Sequence, residues 1–118
     1  MYTWSDIVEL VQYAAVRGIK IVPEIDTPAH VGEGWRFFEE DFLLKFNVEP
    51  WSKFCGEPPC SILNPINERV YEVLAGLYSE FNQLFDSDVF HMGGDEIRFV
   101  SWNETQSILE WLSERSVL

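Results

Sequence analysis

The stretch HMGGDE, residues 91–96, places a glycine pair directly before two adjacent carboxylates, Asp95 and Glu96. It overlaps an apolar run, residues 89–92, that predicts a short buried β-strand. Glycine permits backbone angles that are closed to other residues and leaves room for a close neighbour. The stretch therefore predicts a strand that ends sharply at a ligand-facing carboxylate pair. On spacing alone, an ordinary Gly-Gly-Asp turn explains it equally well.

Helical and strand patterns alternate along the chain. Apolar residues recur at helical spacing over residues 5–17, 67–84 and 103–115, and residues 19–22 form a β-branched run that predicts a strand like that at 89–92. Such alternation implies parallel strands joined by helical crossovers. Two strands do not make a stable sheet, and a (β/α)8 barrel takes about 250 residues. The sequence therefore predicts an α/β fold that is part of such a barrel.

Capping residues predict where these elements begin and end. Thr3 or Ser5 suits the N-cap of the first helix, and Gly18 suits a left-handed residue after it. Pro23 is expected to end the first strand. The following residues, 25–66, show little periodicity and predict a long loop, which inside a compact domain indicates function.

The composition favours a folded, acidic protein. Of 118 residues, 47% are hydrophobic, and 20 acidic against 8 basic residues give a formal net charge of −12. This charge argues against nucleic acid or an anionic membrane as a partner and is compatible with a neutral substrate such as a sugar. The sequence has no apolar run of about 18 residues, and its first residues, MYTWSDIVEL, lack the features of a signal peptide.

The two cysteines stand in CGEPPC, residues 55–60. The intervening residues include two prolines and make a tight loop that a Cys55–Cys60 disulfide would close. Two free thiols are the alternative. A zinc site would need about two more soft ligands nearby, and the sequence offers none there.

Polar residues follow both predicted strands. In parallel α/β folds the site lies at the carboxyl ends of the strands, so two acidic clusters at equivalent ends are expected to meet. The clusters are Glu24, Asp26 and His30 after the first strand, and His91, Asp95 and Glu96 at the second. A lone histidine is more often an ordinary loop residue, but the second carboxylate cluster favours a functional role for His30.

Two chemistries suit these residues. Cleavage of a glycosidic bond usually needs two carboxyl groups, and a general acid works best when burial raises its pKa. Alternatively, the four carboxylates of the two clusters offer hard oxygen ligands to a divalent metal such as Mg²⁺, with His30 as a base. The tryptophan content favours a sugar, because aromatic faces stack on sugar rings. Loop packing explains Trp35 and Trp51 equally well.

HMGGDE resembles the H-x-G-G-D-E signature of glycoside hydrolase family 20, the β-N-acetylhexosaminidases, and IVPEIDTPAHVGEGW (21–35) resembles the segment that precedes it in that family. CGEPPC followed by LNP resembles the arthropod and animal members, which act on chitin oligosaccharides or glycoconjugates. The resemblance implies that residues 1–118 are an internal fragment of the catalytic (β/α)8 barrel, with VPEID on strand 3 and HMGGDE on strand 4. The family's usual Pro-Gly-His is Pro28-Ala29-His30 here.

The resemblance also implies roles for the site residues. The family removes terminal β-linked N-acetylglucosamine or N-acetylgalactosamine with retention, and the 2-acetamido oxygen of the substrate is the nucleophile. Glu96 would be the general acid and then the base, Asp95 would orient the acetamido group, and His30 would contact Glu96. The other expected substrate-binding residues are Glu24, Asp26 and His91 in the site, with Trp51 and Glu57 on the leaving-group side.

No metal and no organic cofactor is expected, and the expected partner is an oligosaccharide that ends in N-acetylhexosamine. The parent enzyme is expected to be secreted or lysosomal, where a disulfide persists, and a homodimer is one expected assembly. In the family most of the sugar pocket comes from other strands, so the chain alone is expected to be inactive. The alternatives are a truncated barrel that only binds N-acetylglucosamine-type sugars, and a metal-dependent barrel enzyme.

Overall fold

The computed structural model describes residues 2–38 and 40–115. Within them the helices are α1 (Trp4–Ala15), α2 (Glu68–Leu84), α3 (Val100–Asn103) and α4 (Gln106–Glu114). The regular sheet in this part of the chain has two antiparallel strands, β1 (Leu43–Leu44) and β2 (Ile62–Leu63), with Leu43 opposite Leu63. Two 3₁₀ turns, Glu33–Trp35 and Trp51–Lys53, lie between α1 and α2.

The start of α1 is fixed by a predicted cap. The Thr3 hydroxyl accepts a hydrogen bond from the Asp6 N–H at 3.2 Å, and the Asp6 carboxylate accepts one from the Thr3 N–H at 2.7 Å. This reciprocal capping box satisfies two N–H groups near the helix start. The bond from the Thr3 backbone, followed by that from its hydroxyl, lowers the pKa of Asp6. Beyond the helix, Gly18 has the predicted left-handed angle, φ +71°.

The second predicted helix is confirmed, and the third is wrong in its first turn. Asn67 caps α2, because its side chain accepts a hydrogen bond from the Arg69 N–H at 2.9 Å. The helix predicted over 103–115 begins only at Gln106, as α4, and the separate short helix α3 ends at Asn103. At the break, the Thr105 hydroxyl donates to the Ser101 carbonyl at 2.7 Å, the kind of local bond with which threonine competes with a continuous helix. On α4, Ile108 is 5% exposed and Trp111 is 36% exposed.

The two predicted strands do not form regular strands. Residues 19–22 have no sheet pairing, and residues 89–92 contribute one parallel bridge, between His91 and Glu24. Val89 and Met92, predicted to be buried, are 57% and 58% exposed. Parallel strands are buried when neighbouring strands and helices cover both faces. Among residues 2–38 and 40–115, no further strand pairs with this bridge.

The predicted long loop carries the hydrophobic core instead. Val31, Phe42, Leu63 and Val70 are buried together, and Trp35, Leu43, Val73 and Leu74 pack against them. The rings of Trp35 and Phe42 stack with their centroids 6.1 Å apart. The core therefore lies between the β1–β2 pair and the start of α2, and Trp35 has a packing role.

The molecule is elongated. Its radius of gyration is 17.1 Å, whereas a compact domain of this length has a radius of about 13.5 Å. Large apolar side chains of α1, including Trp4, Val8 and Leu10, are exposed. The core thus covers only part of the apolar surface of the chain. The helices of the described residues are too short or too polar to cross a lipid bilayer.

Candidate active site

Residues 23–25, which follow the first predicted strand, lie beside His91 of the second and run in the same direction. The Ile25 N–H donates to the His91 carbonyl at 3.3 Å, and the His91 N–H donates to the Pro23 carbonyl at 3.0 Å. The same bridge brings the Glu24 Oε1 within 3.1 Å of the His91 Nδ1. The expected meeting of the two polar clusters is confirmed by this pairing.

The glycine pair lets the second segment turn against Asp26. Gly93 has φ +69°, and a Cβ atom there would lie 2.1 Å from the Asp26 Oδ1 and 2.5 Å from its Cα. Gly94, with φ +109°, donates its N–H to the Asp26 Oδ1 at 3.1 Å. No side chain fits at residue 93, so the close neighbour that this glycine admits is the aspartate of the first cluster.

His30 lies between the two adjacent carboxylates. Its Nε2 is 3.5 Å from the Glu96 Oε2 and 3.8 Å from the Asp95 Oδ2. His30 and Glu96 both have left-handed backbone angles, φ +54° and +51°, which non-glycine residues rarely adopt. Such angles persist where the surrounding structure holds them, and they cluster at functional sites.

The site is acidic and open. The side chains of Asp95 and Glu96 are 69% and 56% exposed, and that of His30 is 36% exposed. The described residues therefore do not supply the burial expected around a general acid. Ligand atoms of Asp26, His30 and Asp95 all lie within 4.8 Å of one another. Carboxylate and imidazole are ligands that a divalent transition metal accepts.

The cysteine loop closes one side of the site. Cys55 and Cys60 form the predicted disulfide, with their Cα atoms 5.4 Å apart. Between them, Gly56 approaches the Glu96 carboxylate so closely that a Cβ there would lie 2.9 Å from its Oε2. A crevice with a volume of about 10 Å³ lies between the loop and the carboxylate. Its polar lining residues are His30, Glu57, Ser61, Glu96 and Arg98.

Hydrogen bonds centred on Leu63 hold these segments together. The Leu63 N–H in β2 donates to the Pro28 carbonyl at 2.9 Å, which ties the loop of His30 to the sheet. The Leu63 carbonyl accepts a bond from the Trp102 indole N–H at 3.1 Å. Trp102 lies in α3, shortly after Glu96, so one core residue connects both halves of the site.

The structure brings together most of the predicted site residues. His30, Asp26, Asp95 and Glu96 form one cluster, with Glu24 and His91 beside it and Glu57 on the crevice. Trp51 is the exception. It lies on the second 3₁₀ turn, is 37% exposed, and does not line the crevice formed by the described residues.

Among the residues that line the crevice, Gly56, Ser61 and Arg98 were not predicted as site residues. Gly56 had a weak signal, because a glycine inside a constrained loop often marks a close approach. Ser61 and Arg98 had none, since a lone serine or arginine is ordinary in a loop. Their position depends on which distant segment packs against them, and a pattern of neighbouring residues does not encode this.

Comparison with known proteins agrees with the resemblance in HMGGDE. A chitooligosaccharidolytic beta-N-acetylglucosaminidase of Bombyx mori is 46% identical over 113 residues, which are 95% of this chain and 19% of that protein. An enzyme of the same name from Ostrinia furnacalis is 43% identical over 97% of this chain and 19% of its own length. The chain thus spans about a fifth of these relatives.

The fold is also similar to that of solved structures. The crystal structure of a beta-N-acetylhexosaminidase superposes with a TM-score of 0.75 at 27% identity, over 98% of this chain and 24% of that one. The family model for the catalytic domain of glycosyl hydrolase family 20 matches residues 1–118. This chain belongs to that family, and its fold is of the α/β class.

Proposed function

We propose that the protein carrying this sequence is a β-N-acetylhexosaminidase, which removes terminal β-linked N-acetylglucosamine or N-acetylgalactosamine from an oligosaccharide. The observation that carries the proposal is the position of His30, whose Nε2 lies within 4.0 Å of both adjacent carboxylates. This geometry unites the two motifs through which the chain resembles family 20. The names of the relatives support the same activity.

In the proposed reaction the adjacent carboxylates act on different atoms. Glu96 protonates the leaving-group oxygen, while Asp95 orients the 2-acetamido group, whose oxygen attacks the anomeric carbon from the opposite side. The family is an exception to the scheme of two enzyme carboxylates because the substrate supplies its own nucleophile. Glu96 then takes a proton from the water that hydrolyses the intermediate, so the configuration is retained.

The remaining residues support this pair. Asp26 accepts the Gly94 N–H and thereby holds the turn that precedes Asp95. Glu24 and His91 form the adjoining pair and are proposed to contact the sugar. Glu57, on the crevice beside Glu96, is proposed to face the leaving group. Trp51 is also proposed to lie on the leaving-group side, and only the resemblance to family 20 supports this.

We further propose that residues 1–118 are a segment of the catalytic barrel around its strands 3 and 4. The 19% coverage of the insect relatives supports this. So does an apolar groove of about 440 Å³ along α2, lined by residues that include Tyr78, Met92 and Trp102, since other elements of a barrel would cover such a surface. The 118-residue chain alone is then expected to show negligible turnover, and measurable turnover by it would contradict this arrangement.

The test of the function is hydrolysis of an aryl N-acetyl-β-glucosaminide by the full-length protein, beside the matching aryl β-glucoside. We expect turnover of the first compound only, because the glucoside lacks the acetamido nucleophile. Glu96→Gln is expected to lower kcat by about 10²- to 10⁴-fold, the usual contribution of a general acid. Glu80→Gln, an exposed change on α2, is the matched control. Unchanged turnover in Glu96→Gln would contradict the proposal.

A metal-dependent enzyme is the second candidate, because Asp26, His30 and Asp95 lie close enough to share an ion. It predicts loss of turnover after dialysis against a chelator and recovery with a divalent cation. The hexosaminidase mechanism predicts no change, since no step requires a metal. A protein that binds N-acetylglucosamine at this site without turnover would favour the third alternative, a sugar-binding barrel.

The location and assembly of the whole protein are part of the same proposal. The Cys55–Cys60 disulfide supports a secreted or lysosomal location, because such bonds persist in oxidising compartments. We propose a homodimer for the full-length enzyme, which its mass in solution tests. The proposed partner is the oligosaccharide substrate, and neither nucleic acid nor a membrane is proposed.

A further inference from the structure

The sequence contains one Asn-X-Ser/Thr triplet, Asn103-Glu104-Thr105, whose middle residue is not proline. This triplet is the acceptor motif for N-linked glycosylation of secreted proteins. The other asparagines have no serine or threonine two positions later; they are Asn47, Asn64, Asn67 and Asn82. Because a motif of three residues often arises by chance, its place in the fold is needed as a second observation.

The fold places Asn103 on the surface. It is the last residue of α3, and both Asn103 and Glu104 are exposed. The two residues before it face the protein, since Ser101 is 1% exposed and the Trp102 indole N–H donates to the Leu63 carbonyl at 3.1 Å. A bulky, hydrophilic oligosaccharide needs an attachment point on the surface, and the end of α3 offers one.

Asn103 also lies off the surface that other elements of the barrel are proposed to cover. Trp102 lines the apolar groove along α2 that the described residues form, whereas Asn103 does not. Successive residues of an α-helix are rotated by about 100° around its axis, so Asn103 projects to one side of the groove. An oligosaccharide on Asn103 would therefore leave the groove free for the rest of the barrel.

The end of the triplet is held in place in the folded protein. The Lys53 Nζ lies 2.5 Å from the Glu104 Oε2, and the Lys45 Nζ donates to the Glu104 carbonyl at 3.2 Å. The Thr105 hydroxyl, which completes the acceptor motif, donates to the Ser101 carbonyl at 2.7 Å. Because this hydroxyl is already bonded in the folded chain, an enzyme has to recognise the triplet before this part of the chain folds.

We infer that Asn103 carries an N-linked oligosaccharide, which is added before the chain folds. This inference rests on the proposed secreted or lysosomal location. The donor is an oligosaccharide linked to a lipid diphosphate. The side-chain nitrogen of Asn103 forms a bond to the anomeric carbon of the first sugar, and the bond from that carbon to the diphosphate oxygen breaks. The lipid diphosphate leaves with the electron pair, and the amide loses one proton.

The test is the mass of one peptide from the full-length protein secreted by cultured insect cells. Trypsin cleaves after Arg98 and Arg115, so residues 99–115 form a single peptide that contains the triplet. We expect this peptide to carry an oligosaccharide. Release of the oligosaccharide by a peptide N-glycosidase in heavy-oxygen water should convert the asparagine to aspartate and label it. Recovery of the peptide only in its unmodified form would overturn the inference.

Four variants assign the modification to the triplet. Asn103→Gln and Thr105→Ala are each expected to lose one oligosaccharide from the mass of the intact protein, and Thr105→Ser is expected to keep it. Asn82→Gln changes an exposed asparagine of α2 that is outside any such triplet, and it is expected to keep the wild-type mass of oligosaccharide. Equal oligosaccharide mass in Asn103→Gln and the wild type would contradict the assignment.

Turnover is measured separately, so that the inference and the proposed function can fail independently. Asn103 lies outside the described site cluster, and Asn103→Gln is therefore expected to keep the wild-type kcat. A wild-type protein that hydrolyses the aryl N-acetyl-β-glucosaminide but has no oligosaccharide on Asn103 overturns the inference alone. A glycosylated wild-type protein without turnover overturns the proposed function alone.

Discussion

The Nε2 of His30 lies 3.5 Å from the Oε2 of Glu96, and both residues have left-handed backbone angles. A residue with a β-branched or bulky side chain rarely adopts such an angle, whereas asparagine tolerates it. The backbone requirement and the side-chain role of His30 can therefore be tested separately.

His30→Asn is expected to fold with little loss of Tm and to lower kcat by about threefold to tenfold, because Glu96 loses one polar neighbour. His30→Val is expected to lower kcat as well and also to lower the stability by about 1–3 kcal/mol, since valine is strained at this angle. Steady-state kinetics and thermal unfolding of both variants check this. Equal stability of the two would refute the backbone argument.

Asp95→Asn is expected to lower kcat for an aryl N-acetyl-β-glucosaminide by about 10²- to 10³-fold, the effect of removing one preorganised group from a developing charge. The reason is that the acetamido group gains positive charge as its oxygen attacks, and a neutral amide stabilises that charge poorly. The control variant is Asp86→Asn. Asp86 lies outside the described site cluster, so this variant is expected to keep wild-type kinetics. A rise in KM alone would assign Asp95 to ground-state binding.

Gly93→Ala is expected to destabilise the protein by at least about 2 kcal/mol. The added Cβ would overlap both the side chain and the backbone of Asp26, and alanine is strained at φ +69°. Gly76→Ala is the matched control. Gly76 lies inside α2 with open space around it, so alanine there is expected to stabilise by about 0.5–1 kcal/mol. Denaturant unfolding of the two variants gives the comparison.

Loss of the disulfide is expected to weaken both the fold and the site. The double variant Cys55→Ser/Cys60→Ser should lose about 2 kcal/mol of stability, the entropic estimate for so short a loop. Its kcat should also fall, because the loop that lies against Glu96 gains freedom. A reducing agent should reproduce the loss in the wild-type enzyme and have no effect on the double variant. Full activity of reduced wild type would contradict a role of the loop in catalysis.

The capping box of α1 predicts a pH dependence. Bonds from Thr3 lower the folded-state pKa of Asp6 below its ordinary value of 3.8, so the unfolded state binds the proton more tightly. The stabilisation is therefore present above about pH 4 and is lost as the pH falls through the lowered value. Thr3→Ala should have a lower Tm than the wild type at pH 7. At low pH, where Asp6 is protonated in both proteins, the two Tm values should lie closer together. Ser5→Ala leaves the capping box intact, so the difference between its Tm and that of the wild type should not depend on pH.

Part of the fold was predictable because it is local. The start of α1 at Thr3, the left-handed Gly18 and the extent of α2 all follow from the residues within one helical turn of them. The prediction of regular strands at 19–22 and 89–92 was wrong, because a strand forms only where neighbouring strands pair with it. The core at Val31 and Phe42 was missed for a related reason, since its residues are scattered without periodicity.

The site was more predictable than the fold around it. Glu24, Asp26, Asp95 and Glu96 stand in short motifs directly after apolar runs, so their meeting follows from the direction of parallel strands. Gly56 matters only because a remote carboxylate, that of Glu96, packs against its loop. A contact between segments that are distant in the sequence does not produce a periodic pattern of residues, so it could not be predicted from the sequence.

The two hydrogen bonds of Leu63 have a consequence for anyone who wishes to reuse this chemistry. Its N–H holds the segment of His30, and its carbonyl holds the helix that follows Glu96. Grafting HMGGDE onto a foreign scaffold would therefore deliver two carboxylates without their alignment. To keep the two carboxylates aligned, a design would have to include the segments of Pro28 and Trp102 together with Leu63, because Leu63 is hydrogen-bonded to both.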